Sequence, residues 1–311
     1  MQYRNLGKSG LKISEIALGG WLNFSNYVDE GLSIRLIQHA FAAGVNLFDV
    51  ADVYADGQAE VALGKALKDL PRDQIVVATK CRGRMWPGPL GEGLSKGHIM
   101  AACEASLKRL QVGHIDLYQV HWPDEETPIE ETMEAFDLLV SQGKVRYIGC
   151  SNFSAKQLEA AQKVATKRSF CRFISSQPRY NLFFRDPEKH LFPACAKLGV
   201  GNIVYSPLAH GVLSGKYRTG EAPSRGRLSR SDYESRWGSD EFFAKAAALA
   251  ALAAEYSMTT AQLALRWCLH QPVVSAVIVG ARSHEQLDEN LAASSHTLDE
   301  DQYQAVSKLV G

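Results

Sequence analysis

Short apolar runs that stop abruptly on a chemically active residue alternate with stretches of helical period along most of this chain. From Ser33 to Ala43 the apolar residues Ile34, Ile37, Ala40 and Phe41 keep to one face of a helix, and Gly44 ends it. The strand Asn46-Leu-Phe-Asp49 follows. A helix over about Gln58 to Lys68 leads into Ile75-Val-Val-Ala-Thr79, which stops at Lys80. Ser95 caps a helix that runs to Leu110 with Arg109 near its end, and Ile115-Asp-Leu-Tyr-Gln-Val120 then stops at His121. Three further strands, Val145–Cys150, Phe173–Gln177 and Ile203–Ser206, are separated by helices over about 128–142, 154–165 and 186–198. The rhythm breaks over Leu208 to Ser239, rich in Gly, Ser and Arg, before two alanine-rich helices over about Phe242–Glu255 and Thr260–His270. The last strand, Val274–Val279, leads into helices over Ser283–Ala293 and Asp299–Val310.

At the other end, Ile16-Ala-Leu18 opens at Gly19-Gly20-Trp21 as the first strand of this series. Ahead of it, Tyr3–Leu6 and Leu11–Ile13 flank Gly7-Lys-Ser-Gly10 and predict a hairpin, placed at the floor of the fold. Eight strands alternating with helices call for a parallel sheet with helical crossovers. No G-x-G-x-x-G follows the first strand, so a closed (β/α)8 barrel is preferred to a doubly wound sheet. The 311 residues fit one such barrel domain over 1–311, with extra helices after the seventh strand and at the carboxyl end.

Charge removes several classes of function. The 34 basic residues cancel the 34 acidic ones, which leaves no footprint for nucleic acid. The start lacks a basic segment followed by an apolar one, and no stretch holds 18 uncharged apolar residues, so neither secretion nor a membrane span is expected. The six cysteines are scattered without C-x-x-C, the pattern of a reduced, cytoplasmic protein.

The strand ends then carry the chemistry. Asp49, Lys80 and His121 close three successive strands, and Tyr54 lies just beyond the first of them. In a barrel these ends share one rim, where active sites are built. A free phenol titrates near ~10, and a nearby ammonium lowers that value. Tyr54 is therefore read as a proton donor tuned downward by Lys80, with Asp49 pairing with Lys80 and His121 orienting a substrate oxygen. Singly, Asp49 with Lys80 would pass for a structural ion pair and His121 for a core histidine.

Asp49-Val-Ala-Asp-Val-Tyr54, Lys80 and His121 resemble the catalytic tetrad of the aldo-keto reductases. So do Gly149-Cys-Ser-Asn152-Phe, Gln177, Tyr205-Ser-Pro-Leu208 and Gly280-Ala-Arg-Ser with Gln286, Glu289 and Asn290. Val53-Tyr-Ala-Asp-Gly-Gln-Ala-Glu60, Gly93-Leu-Ser-Lys-Gly-His98 and Leu213-Ser-Gly-Lys-Tyr217 are most similar to the branch holding the potassium-channel β subunits and their bacterial relatives. The resemblance implies a barrel that reduces aldehydes or ketones with NADPH, or runs the reverse reaction. It implies that Ser151, Asn152 and Gln177 bind the nicotinamide amide, that Tyr205 stacks on its ring, and that Trp21 and Asp49 border it. Ser206, Pro207, Leu208 and Lys216 would follow the pyrophosphate, and Gly280, Arg282, Gln286, Glu289 and Asn290 the adenosine end. An arginine after Lys216 would meet the 2′-phosphate; Arg225 and Arg227 both lie near the place, and Arg227 is preferred. Channel β subunits lack the histidine and differ at the serine-asparagine pair, so this chain looks like a catalytically complete, bacterial member.

Other signals are decoys. Gly211-Val-Leu-Ser-Gly-Lys216 is one residue short of a P-loop and continues with Tyr217, and Gly149-Cys-Ser-Asn-Phe lacks the last glycine of a nucleophile elbow. No metal motif is present. Trp21, Tyr27, Trp86 and Trp122, with Trp237, fall in rim loops and are read as walls for a hydrophobic or ring-shaped carbonyl compound. The rival to an enzyme is a cofactor-binding regulatory subunit that docks on a partner; a hydrolytic or Schiff-base barrel ranks behind both.

Overall fold

The computed structural model describes residues 1–216 and 239–310. β1 (Tyr3–Asn5) and β2 (Lys12–Ser14) form the expected antiparallel hairpin. β3 (Ile16–Gly19), β4 (Leu47–Asp49), β5 (Val76–Cys81), β6 (Ile115–Val120), β7 (Val145–Ser151), β8 (Phe173–Gln177), β9 (Gly201–Val204) and β10 (Val274–Val279) pair side by side in chain order, and β10 returns to β3 to close the barrel. Between them run α1 (Glu30–Ala42), α2 (Gln58–Leu67), α3 (Lys96–Leu110), α4 (Ile129–Ser141), α5 (Ala155–Arg168) and α6 (Leu191–Leu198). After β9 come α7 (Asp240–Glu255) and α8 (Thr260–His270), and after β10 come α9 (His284–Ala292) and α10 (Glu300–Val310). The extra helices α7 and α10 pack on each other.

Successive side chains of a strand point to opposite faces, so each strand serves two cores. Phe48, Val77, Tyr118, Val120 and Ile148 face outward into the layer beneath the helices. Leu47, Val76, Ala78, Leu117, Ile203 and Ala276 fill the barrel interior, where Leu6 and Ile13 of the hairpin join them from below. The hairpin thus plugs the floor. Gly7, at φ +58°, sits so close to the turn before β9 that a Cβ would lie 2.4 Å from Gly199 O and Gly201 N. On the same inner faces, one or two steps further along each strand, the residues turn polar: Asp49, Lys80, Gln119, Ser151 and Gln177. An apolar plug below and polar groups above set the site at the carboxyl rim.

Several boundaries differ from the sequence pattern, three of them with a plain local cause or consequence. α1 begins at Glu30 because Asp29 caps it, accepting from Leu32 N. The helix expected over 186–198 is a turn at Asp186–Glu188 followed by α6; Pro193 falls in the first turn of α6, where a missing N–H breaks no helical bond. β9 spans Gly201–Val204, so Tyr205 and Ser206 lie past its end in the loop, where they can face a ligand.

Candidate active site

The barrel brings the rim residues together. Asp49 ends β4, Lys80 lies on β5, and His121 follows β6 directly. Lys80 is wholly buried, and its ammonium donates to Asp49 Oδ1 at 2.6 Å, to Val50 O at 2.8 Å and to the Tyr54 hydroxyl at 3.3 Å. Tyr54 is placed by its own loop: Val50 N donates to Ala78 O, Asp52 N to Lys80 O, and Tyr54 N to Ala51 O. The Tyr54 and His121 rings meet edge to face with centroids 5.6 Å apart.

The charges depart from expectation at one point. Burial pushes the Tyr54 phenol above its ordinary value, and this outweighs the lowering pull of Lys80. The downward tuning read from the sequence is present as a contribution and loses to desolvation, because the sequence does not show how little water reaches the hydroxyl. Desolvation also works against the Lys80 ammonium, but Asp49 and Tyr54 more than offset it and hold its pKa up. Burial, aided by Lys80, lowers His121 to about 2, so its imidazole is neutral at physiological pH.

A cavity of about 690 Å³ opens above these groups. It is lined by Asp49, Tyr54, His121, Trp21, Trp122, Ser151, Asn152, Gln177, Tyr205, Ser206, Pro207, Leu208 and Lys216. It extends to Gly280, Arg282, Gln286, Glu289 and Asn290. Trp86 does not line this cavity: its ring meets that of His98 at a tilt, with centroids 4.8 Å apart, and packs on the core. Tyr27 ends the turn Asn23–Tyr27, and its side chain is outside the description. Arg225, Arg227 and Trp237 lie outside the described residues. A second cavity, of about 610 Å³, lies at the floor beside Gly7 and Gly199 and holds none of the tetrad.

Sequence reasoning missed Asn23, Val53, Ala55, His210 and Ala261, which also line the cavity. Trp21 and His210 meet edge to face across it at 5.9 Å. The signal for His210 was its place next to Tyr205-Ser-Pro-Leu208; nothing local marked Asn23, which enters because Gly280 leaves it room. A Cβ on Gly280 would lie 2.1 Å from Asn23 Nδ2.

Hydrogen bonds fix one wall. Ser151 Oγ donates to Gln177 O at 2.7 Å, Asn152 Nδ2 donates to His121 O at 2.9 Å and Ser151 Oγ at 3.0 Å, and the Tyr205 hydroxyl donates to Asn152 Oδ1 at 2.8 Å. Asn152 has φ +60°, a conformation Asn tolerates better than most residues. Gln177 Nε2 donates to Asp49 Oδ2 at 2.8 Å, so its oxygen is turned the other way, with no donor among the described residues. At the far end Ser283 caps α9, accepting from Gln286 N, and Gln286 Oε1 accepts from Arg282 N; Arg282 and Gln286 line the cavity at this helix N-terminus, an end suited to phosphate. Among the described residues no cluster of ligands could hold a metal ion, and no helix is long and apolar enough to cross a membrane.

The chain matches the family model for the aldo/keto reductase family over residues 15–310. It belongs to that family. Relatives of this aldo/keto reductase family member include probable voltage-gated potassium channel β subunits of Arabidopsis thaliana, 41% identical over 94% of this chain and 91% of the relative, and of Oryza sativa subsp. japonica, 40% identical over the same shares. A putative β subunit of Schizosaccharomyces pombe is 38% identical over 94% of this chain and 87% of its own. All three fit the β-subunit branch, and none speaks for a bacterial origin.

Proposed function

We propose that this aldo/keto reductase family protein reduces an aldehyde or ketone to an alcohol with NADPH. The observation that carries the reading is the Asp49–Lys80–Tyr54 relay, buried at its base and open to the cavity at the phenol. Bound NADPH would supply the hydride. Tyr54 holds its proton at neutral pH, because burial raises its pKa, and gives that proton to the substrate oxygen. The phenolate left behind faces the Lys80 ammonium, whose charge Asp49 balances. His121 stays neutral and offers a hydrogen bond to the substrate oxygen without competing to protonate it. A phenol that keeps its proton rests in the form that reduction requires.

The residues fit the cofactor in what they offer. Gln177 Oε1 and the second lone pair of Asn152 Oδ1 remain as acceptors on residues that line the cavity, which suits the amide NH2 of a nicotinamide. Tyr205 stands beside them as a stacking surface. Lys216, Arg282 and the N-terminus of α9 suit phosphates, and the guanidinium is the reason for preferring NADPH to NADH. Trp21 and Trp122 would flank a hydrophobic carbonyl compound.

A second reading comes from the relatives' names: a cofactor-binding subunit that acts through a partner protein. One experiment separates the two. NADPH consumption is followed with a panel of aromatic aldehydes, ketones and sugars, for the native protein and for Tyr54→Phe. Turnover that falls at least ~100-fold in Tyr54→Phe, with NADPH still bound, supports the reductase. NADPH binding without turnover in either protein supports the regulatory subunit, and equal turnover in both removes Tyr54 from its role.

A further inference from the structure

We infer that Gln119 is a positioning residue that fixes the Asp49 carboxylate, and through it Lys80 and Tyr54; this rests on the proton-donor reading of Tyr54. Gln119 lies on β6, two residues after the apolar Leu117 on the same inner face, and is wholly buried. An amide there is costly unless both of its ends find partners. Both do: Nε2 approaches Asp49 Oδ2 at 3.5 Å, and Oε1 accepts from Ser175 Oγ at 3.3 Å. A carboxylate only accepts, so the NH2 end must face Asp49.

The fold makes room for this pairing at some cost. Lys80, Gln119, Gly149 and Ser175 are lateral neighbours across β5 to β8. The register between β7 and β8 shifts so that Ile148 pairs with Phe173 but Gly149 with Ser175, which leaves Ile174 as an extra residue. Such irregularities re-aim a side chain. Gly149 carries no Cβ where one would lie 1.9 Å from Ser175 Oγ. A bulge and a glycine therefore meet at the hydroxyl that holds Gln119.

The consequence falls on Asp49. Its Oδ1 takes the Lys80 ammonium, and its Oδ2 takes Gln177 at 2.8 Å and Gln119. Two amides on one oxygen stop the carboxylate from turning about its Cβ–Cγ bond. With Gln119 gone, Asp49 Oδ2 keeps only Gln177, so the carboxylate plane can tilt about that contact, and the Lys80 ammonium, still tied to Oδ1 and Val50 O, shifts relative to Tyr54. The Gln119 contact is long for a hydrogen bond, so it sets orientation more than strength.

The test compares the native protein with Gln119→Met, which keeps length and removes both polar ends, and with Gln119→Glu. For Gln119→Met, kcat should fall about tenfold with KM and NADPH affinity nearly unchanged, because the loss falls on the placement of Lys80 against Tyr54. Its crystal structure should show Lys80 Nζ drawn out of hydrogen-bond range of Tyr54. In Gln119→Glu the new carboxyl donates like the amide while protonated and repels Asp49 once ionised, so kcat should gain a limb that falls as pH rises. An unchanged Lys80–Tyr54 distance in Gln119→Met, or the same pH profile in Gln119→Glu as in the native protein, overturns the proposal. Should Gln119→Met fail to fold, Ser175→Ala takes its place, with a smaller loss of kcat expected and no loss counting against the idea. Because the crystal structure reads placement without turnover, an inactive native protein would sink the reductase reading while the Gln119 contact is still decided.

Discussion

The Lys80 ammonium and the Tyr54 hydroxyl stand 3.3 Å apart, and no water-exposed surface separates the ammonium from its carboxylate on the other side, Asp49 at 2.6 Å. Stability and chemistry are thus tied to one ion pair. Removing only Lys80 leaves a buried, uncompensated carboxylate, which costs about 3–5 kcal/mol. Removing both charges restores balance. Lys80→Met should therefore unfold at distinctly lower urea concentration, and Asp49→Asn with Lys80→Met should recover most of that loss. Neither should recover carbonyl reduction, which is expected to stay at least ~100-fold down. If the double variant regains activity along with stability, the pair is architectural and Lys80 does not serve Tyr54.

His121 makes a separate prediction. A histidine lowered to about 2 does not change charge anywhere in the physiological range. The rate of carbonyl reduction should then show no step near the ordinary imidazole pKa of ~6.5. His121→Gln keeps a hydrogen-bond donor and should lose less than His121→Ala, which is expected to fall by about 100- to 1,000-fold. Rate profiles between about pH 5 and pH 8 check this. A step at the imidazole pKa that vanishes in His121→Gln would show that the ring changes charge in the working range and is not held neutral.

How much of this was legible in the sequence follows from what each residue does. Strand ends were legible because apolar runs stop at Asp49, Lys80 and His121, and parallel strands in a closed barrel put those ends on one rim. The helix cap Ser95 was legible because capping is local chemistry. Gln119 was not, since a lone glutamine in an apolar run has no local meaning; its role comes from Ser175 and Gly149, which lie on other strands. The direction of Trp86 was not legible either, because a place in a rim loop does not say that the ring meets His98. Tyr54 misled on the sign of its pKa shift, because a sequence shows the neighbouring charge and hides the desolvation.

Asp52 supplies the last prediction. It lies in the loop between Asp49 and Tyr54, with Oδ1 accepting from Val53 N at 2.7 Å and Oδ2 buried without a partner among the described residues. Glu60, whose charge also acts on Asp52, takes Thr79 Oγ1 at 2.6 Å and Arg109 Nε at 2.6 Å. Burial first, and the Glu60 charge second, raise Asp52 from the ordinary 3.8 to about 8, against the pull of Val53 N–H, Arg109 and Lys80. The folded protein thus keeps a proton that the unfolded chain releases. Its contribution to stability is complete below the unfolded pKa and is lost as pH rises toward and through the folded one, at up to about 1.4 kcal/mol per pH unit. Asp52→Asn keeps the acceptor for Val53 and cannot ionise. Its urea midpoint should therefore vary less with pH than the native one between about pH 5 and pH 8, and exceed it at the alkaline end. Parallel curves for the two proteins would mean that Asp52 is ionised in the folded state and that its second oxygen is reached by water.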